Sequence, residues 1–248
     1  MALKVSSAGV CCIGRVRKDN QDSILCDAGR LVFAVSDGIG GGNGGAMASG
    51  MVRECLESAE ISGEMSDRRR SIAAAMEKAN GEVFSRARSQ GLKMAGATVA
   101  LIAFAGGDSR MAVVCHAGDS RVYRIRSGRA ELLTYDHTVG AALAKRFSGS
   151  KEAAGLAMRS NRLAHVLTRA VGTDSSLECE WRDVEIAGGD VYLVCTDGVH
   201  DVIRDEEIAG LAAGCGPDEA VKRVSAEVER RGSPDNYSIV VAKVEECR

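Results

Sequence analysis

Apolar residues along this chain gather in short runs broken by glycine, aspartate and small polar clusters. Such runs, about four to eight residues long and bounded by turn residues, predict buried β-strands. The segments that fit are 3–13, 23–26, 31–36, 99–105, 111–115, 122–126, 130–134, 181–186, 191–195 and 237–244. The runs LVFAVS, MAVVC, VYLVC and YSIVVAKV carry the pattern most plainly. Connections at 27–30, 106–108, 127–128 and 188–189 are short, which predicts antiparallel neighbours on either side of each.

Helical spacing occurs between the strand blocks. Residues 45–58 read as one helix. A second, 67–90, places Ile72, Met76, Ala79 and Val83 on one stripe. A third opens at Pro217, a residue suited to the first helical position, sets Ala220, Val221, Val224 and Val228 on one face, and stops at Gly232. The Ala-rich stretch 136–171 reads as helical and as a mobile flap. Strand blocks interrupted by helix pairs predict an α+β fold, with antiparallel sheets covered by helices rather than a doubly wound parallel sheet.

Composition narrows this little. With 248 residues, 45% hydrophobic, the chain can build one large core or two small ones, and no linker divides it. The expectation is a single domain over 1–248. A net charge of −2 gives no nucleic-acid footprint, and the basic run Arg68-Arg69-Arg70 reads as a solvated helix start. No stretch approaches the roughly 18 apolar residues of a membrane helix, and the N-terminus lacks a long apolar leader core. The nine cysteines are odd in number and scattered, and several, such as Cys26, Cys55, Cys115 and Cys195, lie in apolar runs. That predicts reduced core thiols and a cytoplasmic protein. No Cys/His spacing fits a structural zinc.

The candidate chemistry is acidic. Asp37 and Asp197 each close an apolar run and precede glycine; Asp119 follows the run 111–118, and Asp235 stands just before the run 237–244. A carboxylate at the mouth of a buried sheet loses hydration and needs a partner or a metal. No matching set of Arg or Lys lies beside these four, which points to a hard cation such as magnesium or manganese. The loop 39–45 is almost all glycine, so it crowds nothing, and it lacks the Lys-Ser/Thr ending of a phosphate loop. Two metals about 4 Å apart can hold a water and aim it at phosphorus. Arg17 is the candidate cation for phosphate oxygens. Asp108, Asp174 and Asp190 read as turn formers.

These residues fall in a familiar order: Arg17-x-x-Asn20-Gln21-Asp22, Asp37-Gly38-Ile39-Gly40-Gly41, Gly96-Ala97-Thr98, Gly118-Asp119-Ser120-Arg121, Asp136-His137-Thr138, 167–172, Thr196-Asp197-Gly198-Val199-His200-Asp201 and Asp235-Asn236-Tyr237-Ser238. From about residue 8 to 244 the chain resembles the PP2C (PPM) family of metal-dependent protein serine/threonine phosphatases, in its bacterial form. The resemblance implies a helix–sheet–sheet–helix sandwich with two central, mostly antiparallel sheets. It implies two core Mn²⁺ or Mg²⁺ ions and a third, weaker one. Asp37 resembles the aspartate that bridges the core pair, Gly38 the residue offering its carbonyl to the first ion, and Asp197 and Asp235 ligands of the second. Asp119, with Asp197 and Asp201, resembles the third-metal set. Arg17 resembles the phosphate-binding arginine, and Asp22 an acid that orders water at the metals. The implied partners are phosphorylated proteins and a cognate Ser/Thr kinase with its targets; the implied state is a monomer, with no nucleic acid or membrane involved.

Two positions depart from the family pattern. Gln21 stands where the family usually has Glu, and brings no negative charge. Ile39 stands where eukaryotic members often have the His proposed as general acid. His137 and His200 are the nearby candidates for that duty, with structural hydrogen bonding as the competing reading. Two other functions stay open on sequence: a phosphoprotein-binding pseudophosphatase, which Gln21 favours, and a scaffold whose aspartates are turn residues only.

Overall fold

The structure, a computed structural model, describes residues 3–41, 43–92, 94–107, 109–146 and 165–245. Among the described residues, eleven strands form two sheets in which every pair is antiparallel. The first sheet runs in the order β1 (Val5–Cys12), β11 (Tyr237–Val244), β10 (Val191–Cys195), β7 (Arg121–Arg126), β8 (Arg129–Leu132). The second runs β2 (Asp22–Asp27), β3 (Val32–Gly40), β5 (Val99–Phe104), β6 (Met111–Ala117), β9 (Glu180–Glu185), with β4 (Ala95–Ala97) added to the end of β3. The described helices are α1 (Gly44–Ser58), α2 (Met65–Ser89), α3 (Val139–Arg146), α4 (Asp197–His200), α5 (Asp205–Ala212) and α6 (Pro217–Arg230).

The central strands are apolar throughout because both of their faces are buried. Phe33, Val35, Ile102, Val114, Tyr192, Val194 and Val240 point into the layer between the sheets. Phe104 stands edge-on to Phe33 (5.8 Å between centroids) and to Tyr192 (5.2 Å), which joins one sheet to the other. The alternate residues Val32, Val99, Leu101 and Cys115 face outward onto Val52 and Leu56 of α1 and Ile72, Met76 and Val83 of α2. On the far side Leu193, Ile239 and Val241 meet Ile208 of α5 and Val224 and Val228 of α6. The layers are therefore helix, sheet, sheet, helix, the α+β sandwich expected.

Four expectations need correction. The strands on either side of residues 188–189 are not partners: β9 pairs with β6 and β10 with β11 and β7. The Asp190 N–H donates to Ala187 O, and the Ala187 N–H donates to Asp190 Oδ2, so this turn moves the chain from one sheet to the other instead of closing a hairpin. Asp190 is a turn residue as read, and it also takes the Arg126 fork at 2.6 Å through both oxygens. The run Arg68-Arg69-Arg70 is not one solvated face, because consecutive helical residues point about 100° apart. Arg68 is buried with Nη1 donating to Arg30 O at 2.7 Å, while Arg69 lies over Trp181. Cys26 is exposed on the edge strand β2, whereas Cys55, Cys115 and Cys195 are buried. Asp37 does not end its strand, since β3 continues to Gly40 by pairing with β4. Of the helix expected in 136–171, the described residues show only 139–146 as helix, α3, and 165–171 as non-helical; residues 147–164, and with them most of the proposed flap, lie outside the described residues, as does Asp108. No described helix is long and apolar enough to cross a membrane.

Candidate metal centre

The register brings the start of β2, the end of β6, the end of β10 and the start of β11 to one end of the sandwich. Asp22, Asp37, Asp119, Asp197 and Asp235 all stand there, and Asp201 follows one turn of α4 after Asp197. Their charges reach each other. Asp37 is raised well above the usual carboxylate range by burial, and then by the charges of Asp197, Asp22 and Asp119. Burial pushes Asp197 up to about 7, helped by Asp119, Asp201 and Asp235. Asp119 is pushed up to about 6 by burial and by Asp136. These groups are short of positive charge and of water.

Asp22 shows how the sequence builds this. It is only 8% exposed, and Oδ2 accepts hydrogen bonds from Thr196 Oγ1 (2.9 Å) and Ser238 Oγ (2.8 Å). Oδ1 is buried with no donor among the described residues. Opposite it in the β2–β3 register stands Asp37. Two ionised carboxylates cannot bond each other, so the pair needs a proton or a cation between them. Burial accordingly moves Asp22 up to about 6. An orphaned buried oxygen among neighbouring carboxylates fits a hard divalent cation, and these acids bring no sulfur to favour a softer one.

Gly38 and Gly45 are glycine for steric reasons. A Cβ on Gly38 would lie 2.2 Å from Gly45 O, and one on Gly45 would lie 2.7 Å from both Gly38 O and Gln21 Oε1. The first turn of α1 can thus press against the Asp37-Gly38 backbone. Gln21 is held there by Ser49 Oγ, which donates to Gln21 O, and by its own N–H, which donates to Asn236 Oδ1. Asn236 Nδ2 also donates to Ile13 O and Asp19 O, fixing the loop that carries Arg17. Arg17 Nη2 donates to Asp235 Oδ2 at 2.5 Å, and the charges of Asp197 and Asp37 further raise its affinity for its proton.

The histidines hold backbone. His200 Nε2 donates to Asp119 O at 3.0 Å, and burial drags it down to about 4, so it is neutral at pH 7. His137 Nδ1 accepts the Gly118 N–H, its own N–H donates to Gly118 O, and Nε2 faces Glu180 at 3.1 Å. Gly118 sits at φ +108°, so this two-point grip fixes a left-handed turn just before Asp119. His116 stacks on His137 at 4.6 Å. The ligand atoms of His116, His137 and Glu180 lie within 4.8 Å of one another. One nitrogen of each ring already serves backbone, His116 Nε2 at Tyr135 and His137 Nδ1 at Gly118, so this group braces the Asp119 turn.

All eight residues singled out from sequence reach this end of the fold: Arg17, Asp22, Asp37, Gly38, Asp119, Asp197, Asp201 and Asp235. Thr196, Ser238, Thr98 and Asn236 also serve the site, and sequence alone assigns them no role. Thr98 Oγ1 accepts the Asp37 N–H at 3.0 Å and meets Ser120 Oγ at 2.6 Å. Their signal was a hydroxyl or amide set in or beside an apolar run.

The chain matches the family model for Protein phosphatase 2C over residues 8–237. It is 32% identical over 232 residues to the serine/threonine protein phosphatase PstP of Mycobacterium tuberculosis, a match covering 93% of this chain and 43% of PstP. The chain therefore spans less than half the length of that relative. PppA of Pseudomonas aeruginosa, described as a key regulatory component of T6SS, superposes with a TM-score of 0.88 at 26% identity, covering 98% of this chain and 100% of that one. The catalytic domain of PstP in complex with two manganese ions superposes with a TM-score of 0.85 at 28% identity, covering 99% and 100%.

Proposed function

Because the chain belongs to the protein phosphatase 2C family, we propose that it hydrolyses phosphoserine and phosphothreonine in proteins with the help of divalent metal ions. The observation that carries this is the cluster of six aspartates at one end of the sandwich, Asp22 with its orphaned Oδ1 among them, with Arg17 at their edge. Asp37, the Gly38 carbonyl, Asp197 and Asp235 would hold two core Mn²⁺ or Mg²⁺ ions, and Asp119, Asp197 and Asp201 a third. Bound there, the ions supply charge to the phosphoryl oxygens and acidify water.

The protein's own groups do the rest. Arg17 offers a planar fork to two phosphoryl oxygens and offsets the charge that grows on them. Asp22 is clamped by Thr196 and Ser238, so its free oxygen keeps a fixed direction toward Asp37. Asn236 locks the Arg17 loop to the start of β11, which keeps the arginine in register with Asp235. One ring nitrogen of each histidine holds backbone, His200 Nε2 at Asp119 O and His137 Nδ1 at the Gly118 N–H, while His137 Nε2 faces Glu180, so both serve to position the Asp119 turn. Residues 1–248 would form one catalytic domain, acting as a cytoplasmic monomer on the targets of a cognate Ser/Thr kinase.

Purified protein with manganese should release phosphate from a phosphothreonine peptide, and Asp37→Asn or Asp235→Asn should lower turnover at least ~10³-fold while leaving the melting profile cooperative. Gln21 favours a second reading, a phosphoprotein-binding module without turnover. Peptide binding with no manganese-dependent phosphate release at any concentration would select it.

A further inference from the structure

Both oxygens of Asp235 are already in use. Oδ1 accepts the N–H of Asn236 at 2.7 Å, and Oδ2 accepts Arg17 Nη2 at 2.5 Å. The arginine is 56% exposed and the aspartate 33%, so the pair can open without breaking the core. The charges of Asp197 and Asp37 also act on Arg17. A cation that takes Asp235 as a ligand must therefore contend with a guanidinium already seated on it.

We propose that Arg17 and the metal compete for Asp235 Oδ2, so that loading the cation is what releases Arg17 to meet the substrate phosphate. The inference rests on the metal-dependent phosphatase reading and adds a coupling to it: through Arg17, cation and phosphate each favour the other's binding. Coupling of this kind is reciprocal, so a phosphate that draws Arg17 away also strengthens the cation's hold. An uncoupled site would keep Arg17 clear of the ligand set, and here it does not.

Arg15 supplies the control. It carries the same charge two residues away, and its Nε pairs with Glu229 at 2.5 Å, outside the cluster. Manganese is titrated calorimetrically into the wild type, Arg17→Ala and Arg15→Ala, with no substrate present. Removing a competing ion pair at this exposure should tighten manganese binding about three- to tenfold in Arg17→Ala. Arg15→Ala should stay within about twofold of wild type by the same reasoning. Equal or weaker binding in Arg17→Ala overturns the competition, as does an equal gain in Arg15→Ala, which would mean bulk charge alone. A wild type that binds no manganese removes the phosphatase reading and this inference together.

Discussion

Asp197, Asp119 and Asp22 hold protons more tightly in the fold than a free aspartate does, at about 7, 6 and 6. In the unfolded chain they titrate near 3.9. Carboxyls raised in this way favour the fold fully below the unfolded value, and that support is lost as pH rises through the folded values. The stability that these three acids lend the metal-free protein should thus fall as pH rises from about 5 to 7, against an opposing gain from His200 that is complete near pH 6.5. Glu207 and Glu227, held at about 2 by Arg231 and Arg230, have finished titrating below that window. A divalent cation replaces the missing protons, so the rise in melting temperature on adding manganese should grow with pH across the same window. Scanning calorimetry with and without manganese checks both trends, and Asp197→Asn should flatten the metal-free decline. A manganese increment that shrinks with rising pH would contradict the cation reading of these acids.

At the scale of elements, the approach of α1 to β3 decides whether the Asp37-Gly38 turn forms. Gly45→Ala would place a methyl 2.7 Å from Gly38 O, a backbone atom with nowhere to go. It should cost about 1–3 kcal/mol and weaken manganese binding. Gly41 has nothing within 4 Å of its added Cβ, so Gly41→Ala should leave both quantities unchanged. Denaturant titration and calorimetry on the two variants separate crowding from loop stiffening; equal behaviour would remove the close-packing argument. The sequence showed glycines here without showing which were required, because only the partner backbone distinguishes Gly45 from Gly41. Long apolar strands and the Ile72–Val83 stripe were legible for the opposite reason: their periodicity is local. The short helix α4, the three-residue β4 and helix α5 escaped notice because each is too brief to build a period. The crossing between β9 and β10 escaped because a tight turn at 187–190 looks the same whether its strands pair or part.

Across the whole molecule, the two sheets are joined by apolar packing in the middle and by Asp22 at the site end. Thr196 and Ser238 come from the first sheet and Asp22 from the second, so one carboxylate ties the layers where the acids repel each other. Ser238→Ala removes one of those two donors and leaves a buried carboxylate underpaired. Urea unfolding should show a loss of about 1–3 kcal/mol. An unchanged midpoint would mean that the aromatic layer of Phe33, Phe104 and Tyr192 holds the sheets without it. The positions of Asp37 and Asp197 could be read from sequence because Asp-Gly after an apolar run is a local mark. Their convergence could not, since it depends on which strand ends share one edge. The order of motifs supplied that only by resemblance.

The central claim is that these aspartates cage divalent ions. Crystals soaked in manganese, with anomalous difference density recorded at its absorption edge, address it most directly. The account predicts two strong peaks bounded by Asp37, Gly38 O, Asp197 and Asp235. A fully soaked crystal with no peak among those oxygens, or with its manganese bound elsewhere, would contradict it.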